Sequence, residues 1–185
     1  MLRPRPWIVG ILAATVLLGG CGGPTSSSTQ AAGSSAPRAS EPAPAPAPAA
    51  PKELQFQATT LDDTPFSGES LVGRNAVVWF WAPWCAICRK EAPQVTAAAR
   101  RHAGDVQFVG IPGAAKVPEM KEFVAEQKLD AFPQVADTDG GLWSRFGVTG
   151  QPAYAFISAD GKVDVVQGSL QEQQLDERVR QLTGA

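Results

Sequence analysis

The chain has 185 residues, of which 44% are hydrophobic and 18% are charged, and its formal net charge is −2. This charge is close to neutral and no basic stripe is visible, so we expect no nucleic-acid partner. The three cysteines are too few for a fold held together by several disulfides.

Residues 1–20 have the pattern of a signal peptide. Arg3 and Arg5 precede an apolar run at residues 7–18, which is shorter than the about 20 residues of a membrane-spanning helix. The run ends in Leu-Gly-Gly-Cys at residues 18–21, which resembles a bacterial lipobox. The resemblance implies an exported protein whose Cys21 carries a lipid anchor on the outer side of the cell membrane. The alternative is an ordinary secretory signal with an incidental cysteine.

Residues 21–51 are predicted to be a linker after the lipidated cysteine. This stretch consists mainly of Ser, Thr, Gly, Ala and Pro and ends in an alternating Pro-Ala tract. Such a composition cannot bury a core, so it predicts disorder with extended polyproline character. Fully extended at about 3.1 Å per residue, the linker would reach roughly 90 Å. The remaining residues, 52–185, are enough for one domain with a full core.

The first half of this domain is predicted to contain two strands and a long helix. A first strand is expected within residues 54–60, and the continuous apolar run at residues 76–81 indicates a strand buried on both faces. The helix is expected at residues 85–101. Pro93 falls inside it and would kink its axis, or the helix could instead end at Ala92 because X-Pro often marks a helix end.

The second half continues the alternation of strands and helices. Met120 and Phe123 share one helical face and are expected in the core. Asp160-Gly161 is a strong hairpin signal. The predicted elements are a strand at 106–111, a helix at 117–128, a short strand at 131–136, a short helix at 141–146, hairpin strands at 154–158 and 163–167, and a closing helix marked by Leu170, Leu175, Val179 and Leu182. The pattern predicts an α/β domain with a central sheet flanked by helices.

Cys85 and Cys88 lie at the start of the predicted long helix. Residues three apart share one helix face, so the two sulfurs can reach disulfide distance. The free N–H groups and positive dipole end of the helix stabilise a thiolate at Cys85, and Arg89 and Lys90 add positive charge nearby. The pattern therefore predicts a thiol–disulfide oxidoreductase in which Cys85 attacks and Cys88 resolves the mixed disulfide.

Two segments of the chain resemble a known family. Residues 79–93, Trp-Phe-Trp-Ala-Pro-Trp-Cys-Ala-Ile-Cys-Arg-Lys-Glu-Ala-Pro, are similar to the active-site segment of the thioredoxin superfamily. The similarity is greatest to its extracytoplasmic TlpA/ResA/DsbE branch, and within it to actinobacterial DsbE/DsbF-like lipoproteins. Residues 146–157 resemble the second signature of that branch, Gly-Val-x-Gly-x-Pro followed by an apolar strand. The resemblance covers about residues 55–182 and implies a thioredoxin-like fold.

The resemblance also implies roles for residues outside the cysteine pair. Pro152 would be a cis-proline opposite the pair, and the backbone of Gln151 would be presented to a substrate strand. Trp84 is expected to flank the reactive sulfur and shape the substrate contact surface. The intervening Ala86 and Ile87 would tune the stability of thiolate against disulfide.

Proton handling is expected to differ from that of thioredoxin itself. Thioredoxin has a buried acid in the strand before its cysteines, and ungapped matching places Trp79 at that position. Glu91, the motif glutamate of the branch, is the candidate substitute. A solvent-facing capping role for Glu91 is the alternative.

The direction of exchange stays open at the level of sequence. The resemblance to DsbE/DsbF-like proteins and the absence of a proline between the cysteines favour oxidation of cysteine-containing exported proteins. The alternatives are reduction of the cytochrome c maturation type, or a binding lipoprotein with a structural disulfide. We expect no cofactor and no metal, because a zinc site needs four ligands and His102 lies at the far end of the helix. We also expect a monomer and a membrane redox partner that recycles the pair.

Overall fold

The structure is a computed structural model that describes residues 49–184. The predicted signal peptide, the lipidation at Cys21 and nearly all of the predicted linker lie outside the described residues. Within this part of the chain, none of the helices is long and apolar enough to cross a membrane.

The strands form two sheets. β1 (Gln57–Thr59) and β2 (Pro65–Ser67) pair antiparallel in a small two-stranded sheet. The main sheet has the spatial order β4-β3-β5-β6, in which β3 runs parallel to β4 and antiparallel to β5. Its strands are β3 (Ala76–Trp81), β4 (Gln107–Pro112), β5 (Ala153–Ile157) and β6 (Val163–Gln167).

Four α-helices accompany the strands in the described part of the chain. They are α1 (Ala86–Arg101), α2 (Val117–Gln127), α3 (Gly141–Arg145) and α4 (Glu172–Thr183). α1 is the crossover that a pair of neighbouring parallel strands such as β3 and β4 requires. A tight turn joins β5 to β6, where Gly161 adopts a φ of 88° that favours glycine.

The core lies on both faces of the main sheet, and β3 is buried along its whole length. Because side chains alternate along a strand, Trp79 and Trp81 face one side and Val78 and Phe80 face the other. The tryptophan side packs against α1, α2 and α4. The opposite side packs against α3 and the N-terminal segment that contains β1 and β2. The architecture confirms the predicted α/β class.

Helix α1 continues through Pro93 to Arg101, so the alternative that it ends at Ala92 is wrong. The closing helix begins at Glu172, which places Leu170 before the helix rather than within it. Met120 and Phe123 are buried in the core, as predicted.

The prediction of a strand at residues 131–136 is wrong, because the structure has no strand there. The segment makes only isolated bridges, at Gln134 and Val135. Pro133 has no N–H group for a ladder. The side chain of Gln134 turns into the core, where its Oε1 accepts a hydrogen bond from Trp81 Nε1 at 3.0 Å. It occupies the space that Gly110, with no side chain, leaves open on β4.

Candidate active site

The two cysteines of the predicted exchange motif form a disulfide at the N-terminus of α1. Their Cα atoms are 5.3 Å apart. Cys85 is the N-cap residue of α1, and the backbone N–H of Cys88 donates to its Sγ at 3.0 Å. Cys85 is 6% exposed and Cys88 is 0% exposed. Of the two cysteines, Cys85 is therefore the one that solvent can reach.

An apolar surface surrounds the opening to Cys85. Trp84 is 61% exposed and Ile87 is 51% exposed, and Ala86 between the cysteines is exposed as well. Among the described residues, Trp84 and Ile87 are the large hydrophobic side chains that face solvent. The structure thus brings together three of the predicted substrate-binding residues around the less buried sulfur.

The Trp84 indole is held by a residue that the sequence analysis missed. Its Nε1 donates to the carbonyl oxygen of Ala114 at 2.9 Å, in the loop after β4. Ala114 adopts a φ of 53°, which non-glycine residues rarely do. An alanine next to other small residues carries no sequence signal for this conformation.

The positive charge predicted from Arg89 is largely neutralised by a neighbouring helix. Arg89 pairs with Glu126 of α2 at 2.5 Å, and its guanidinium lies over the Phe123 ring at 4.9 Å. Lys90 is exposed. The thiolate stabilisation expected at Cys85 therefore comes chiefly from the helix N-terminus.

Pro152 lies at the same edge of the main sheet as the disulfide. The Gln151–Pro152 peptide bond is cis, in agreement with the resemblance, and Pro152 is buried while Gln151 is half-buried. The antiparallel register pairs Phe80 of β3 with Ala153 of β5. The end of β3 that leads to Cys85 therefore meets the start of β5 that follows Pro152.

Glu91 is buried inside the domain, with only 5% of its surface exposed. Its Oε2 accepts a hydrogen bond from Tyr154 Oη at 2.9 Å, and its Oε1 accepts one from the backbone N–H of Leu170 at 2.9 Å. The alternative of a solvent-facing capping role is therefore wrong. Glu91 lies three residues after Cys88 on the same helix, and both side chains are buried, so the two are neighbours on one face.

Burial raises the pKa of Glu91 above its usual value, and hydrogen bonds from Tyr154, Leu170 and Trp79 partly offset the increase. The buried Nε1 of Trp79 lies close to Glu91 and lowers the pKa of its carboxyl group. It makes no hydrogen bond of good geometry with any of the described residues. Glu91 therefore retains a proton at a higher pH than an exposed glutamate. A buried carboxyl group with a raised pKa thus stands one helical turn from Cys88.

Tyr154 was not predicted as part of the site, although the sequence contained a signal. It is the single tyrosine of the chain, in an otherwise apolar strand. A buried tyrosine hydroxyl usually requires a hydrogen-bond partner. The contact of the Leu170 backbone carries no comparable signal, because any residue type supplies an N–H group.

The described residues contain no group of three or more His, Cys, Asp or Glu side chains that could hold a metal ion. His102 is the C-cap residue of α1, where its Nε2 lies 3.7 Å from Asp176. It is therefore at the opposite end of the helix from the disulfide.

Comparisons with known proteins cover nearly the whole described domain. The Redoxin family profile matches residues 31–177. The soluble secreted antigen MPT53 of Mycobacterium tuberculosis is 43% identical over 137 residues, which cover 72% of this chain and 78% of that protein. The solved structure of MTB dsbF in its mixed oxidized and reduced forms is 52% identical, with a TM-score of 0.71, and covers 72% of this chain and 99% of that one.

A second solved structure, of a secreted Mycobacterium tuberculosis disulfide oxidoreductase homologous to E. coli DsbE, is 42% identical, with a TM-score of 0.68. It covers 72% of this chain and 100% of that one. Both solved chains are matched almost from end to end, so they share the fold described above.

Proposed function

We propose that this chain, which belongs to the Redoxin family and is a thiol–disulfide oxidoreductase of thioredoxin-like fold, forms disulfides in exported proteins. The observation that carries the oxidising direction is the hydrogen bond from Cys88 N–H to Cys85 Sγ at 3.0 Å. This N–H group and the helix dipole stabilise a Cys85 thiolate, which favours the reduced protein and makes its disulfide a better oxidant. The similarity to a secreted disulfide oxidoreductase supports disulfide exchange outside the cell, in either direction.

The proposed reaction consists of two exchanges. A client thiolate attacks Cys85 Sγ, the Cys85–Cys88 bond breaks, and Cys88 leaves as a thiolate that takes up a proton. A second client thiolate then attacks the client sulfur of the mixed disulfide, and Cys85 leaves as a thiolate. Two electrons pass from the client to the protein, so the client gains a disulfide and the protein becomes the dithiol.

We assign the proton step to Glu91. When Cys88 leaves as a buried thiolate, it needs a proton that solvent cannot readily supply, because Cys88 is 0% exposed. The protonated Glu91 carboxyl one helical turn away is suited to donate it, and the carboxylate can later take the proton back when Cys88 attacks in the reverse direction.

The surface around Cys85 is suited to bind an unfolded client segment. The exposed Trp84, Ala86 and Ile87 offer apolar contacts, and the backbone of Gln151, before Pro152, can pair with an extended client strand. If this is correct, Trp84→Ala slows the oxidation of an apolar cysteine-containing peptide more than the reaction with dithiothreitol. Equal effects on both reactions would refute the role of Trp84.

We further propose that residues 1–20 direct export and that a lipid on Cys21 holds the domain at residues 52–185 on the outer face of the membrane. Two of the similar proteins are secreted, which supports export. A membrane-bound disulfide donor would then reoxidise the pair by a further exchange. Mass spectrometry of the N-terminal peptide tests the anchor, because an unmodified Cys21 contradicts it.

The equilibrium reduction potential against glutathione buffers tests the direction. The protein would carry Cys21→Ser, so that Cys85 and Cys88 are the only cysteines that titrate. A value towards that of DsbA, about −120 mV, supports disulfide formation. A value near that of thioredoxin, about −270 mV, would instead identify a reductase of the cytochrome c maturation type.

A further inference from the structure

The proposed proton step leaves one buried polar group without a role. Tyr154 lies in β5, and its side chain is 0% exposed. Its ring stacks against Phe156 at a centroid distance of 6.2 Å on the apolar side of the sheet that faces α1. A phenylalanine would fill this position without the cost of burying a hydroxyl group. The hydroxyl therefore needs an explanation beyond packing.

The hydroxyl and a second group fix the two carboxyl oxygens of Glu91 separately. Tyr154 Oη binds Oε2 at 2.9 Å, and the Leu170 N–H binds Oε1 at 2.9 Å. The Leu170 segment is itself fixed, because Gln94 Nε2 donates to the Leu170 carbonyl oxygen at 2.6 Å. With both oxygens bound, the carboxyl group cannot rotate freely about its last bond.

No charged group competes with Tyr154 for Glu91 among the described residues. The groups that face the carboxyl are the Tyr154 hydroxyl from β5, the Trp79 indole from β3 and the Leu170 backbone N–H before α4, and none of them is charged. The charged side chains of α4 are paired elsewhere. Glu172 and Asp176 bind Arg101, and Arg178 binds Asp164.

We infer that Tyr154 is a positioning residue of the exchange reaction, which holds the Glu91 carboxyl group beside Cys88 through the hydrogen bond from its hydroxyl group. This inference rests on the proton step proposed above. Burial and the neighbouring Glu91 charge raise the pKa of Tyr154, so its hydroxyl remains a donor throughout the working pH range. A permanent donor favours the carboxylate over the neutral carboxyl and so sets the pH at which Glu91 gives up its proton.

Tyr154→Phe tests the inference with two measurements on the full chain. The first is the titration midpoint of the Glu91 carboxyl carbon by NMR, assigned by its loss in Glu91→Gln. The second is the pH profile of the rate at which the oxidised protein oxidises a dithiol peptide. Loss of a hydrogen bond to a charged group is expected to move both midpoints upward by about one pH unit. In the Glu91→Gln background, Tyr154→Phe should cause no further change in the profile.

Two further proteins make the result specific. Phe156→Leu changes the ring that stacks on Tyr154 but retains the Tyr154 hydroxyl group, so it should leave both midpoints in place. Because Tyr154 is the single tyrosine, growth on 3-fluorotyrosine changes this hydroxyl alone. Fluorination makes the hydroxyl a stronger donor, so the Glu91 midpoint should move downward while the shape of the side chain is nearly unchanged.

The possible failures are distinguishable. Unchanged midpoints in both Tyr154→Phe and the fluorotyrosine protein would overturn the positioning role, and so would an equal shift in the Glu91→Gln background. If Glu91→Gln itself leaves the rate profile unchanged, the proposed proton step fails and the role of Tyr154 in exchange fails with it.

Discussion

The two sulfurs of the disulfide occupy different environments, and we expect substitutions of the two cysteines to have different effects. Cys85 caps the helix and is slightly exposed, whereas Cys88 is completely enclosed. Cys85→Ser removes the sulfur that the client thiolate attacks and should reduce exchange to the background rate. In Cys88→Ser the Cys85 thiolate can still attack a client disulfide, which is the reverse of the proposed reaction. Without Cys88 to resolve it, the mixed disulfide between Cys85 and the client should persist.

Non-reducing gel electrophoresis, followed by mass spectrometry of the conjugates, distinguishes these two outcomes. Both variants carry Cys21→Ser, and the matched control carries Cys21→Ser alone. Turnover by Cys85→Ser at the rate of this control, or the absence of conjugates with Cys88→Ser, would contradict the assigned roles.

The burial of Glu91 predicts a pH dependence of stability. Burial raises the folded-state pKa above the unfolded value of about 4.3, so the folded protein binds this proton more tightly. The free energy of unfolding should therefore fall as pH rises from the unfolded pKa through the folded pKa. Glu91→Gln lacks this loss, so its stability relative to the wild type should increase from pH 4 to pH 8.

Urea unfolding at the two pH values measures this difference. Glu69→Gln, at an exposed position, is the control, and its stability relative to the wild type should change little with pH. A constant difference between Glu91→Gln and the wild type would show that the carboxyl does not titrate in a buried state.

The residues of the site differ in how far sequence could predict them. Cys85, Cys88 and Pro152 lie in short motifs, because the chemistry and the backbone at those positions require particular residue types. Tyr154 and Ala114 act through contacts made by distant segments. Such contacts depend on the packing of β5 and of the loop after β4, which local sequence does not encode.

Individual elements follow their sequence patterns wherever hydrophobic periodicity decides their form. The fully apolar β3 and the long α1 agree with prediction within one residue. Residues 131–136 do not form the predicted strand, because the side chain of Gln134 takes part in a buried hydrogen-bond network. Its Oε1 accepts from Trp81, and its Nε2 donates to the carbonyl oxygens of Leu129 and Phe132 at 3.3 Å. The hydrogen bond between Gln134 and the distant Trp81 thus outweighs the local preference of this segment for a strand.

This network predicts that Gln134→Met destabilises the fold although methionine has a similar volume. The substitution leaves the buried Trp81 N–H without an acceptor, which costs about 1–3 kcal/mol. Urea unfolding measures the change. Gln173→Met, at an exposed position of α4, is the matched control and should change the free energy of unfolding by less than about 0.5 kcal/mol. Equal small effects of both substitutions would show that the Gln134 network contributes little.

For the molecule as a whole, the proposed oxidising direction implies a link between redox state and stability. If the folded protein favours the dithiol, the reduced protein must be more stable towards unfolding than the oxidised protein. Each 30 mV by which folding raises the potential corresponds to about 1.4 kcal/mol. We expect the reduced Cys21→Ser protein to unfold at a higher urea concentration than its oxidised form, measured by tryptophan fluorescence with and without reductant.

The opposite order, in which the oxidised protein is the more stable one, would contradict disulfide donation and favour reduction of clients. A chain with Cys85→Ala and Cys88→Ala serves as the control, since reductant should not change its unfolding.

The antiparallel pairing of β3 with β5 also bears on how the site comes into existence during synthesis. The cysteine pair is a local motif, but Pro152 and Tyr154 follow it by more than sixty residues. A polypeptide leaves the ribosome N-terminus first, so a nascent chain holds its thiols well before β5 exists. Until that strand is inserted, the pair has neither its opposing proline nor the hydroxyl partner of Glu91. The complete site proposed for this protein is thus assembled only after β5 has been synthesised.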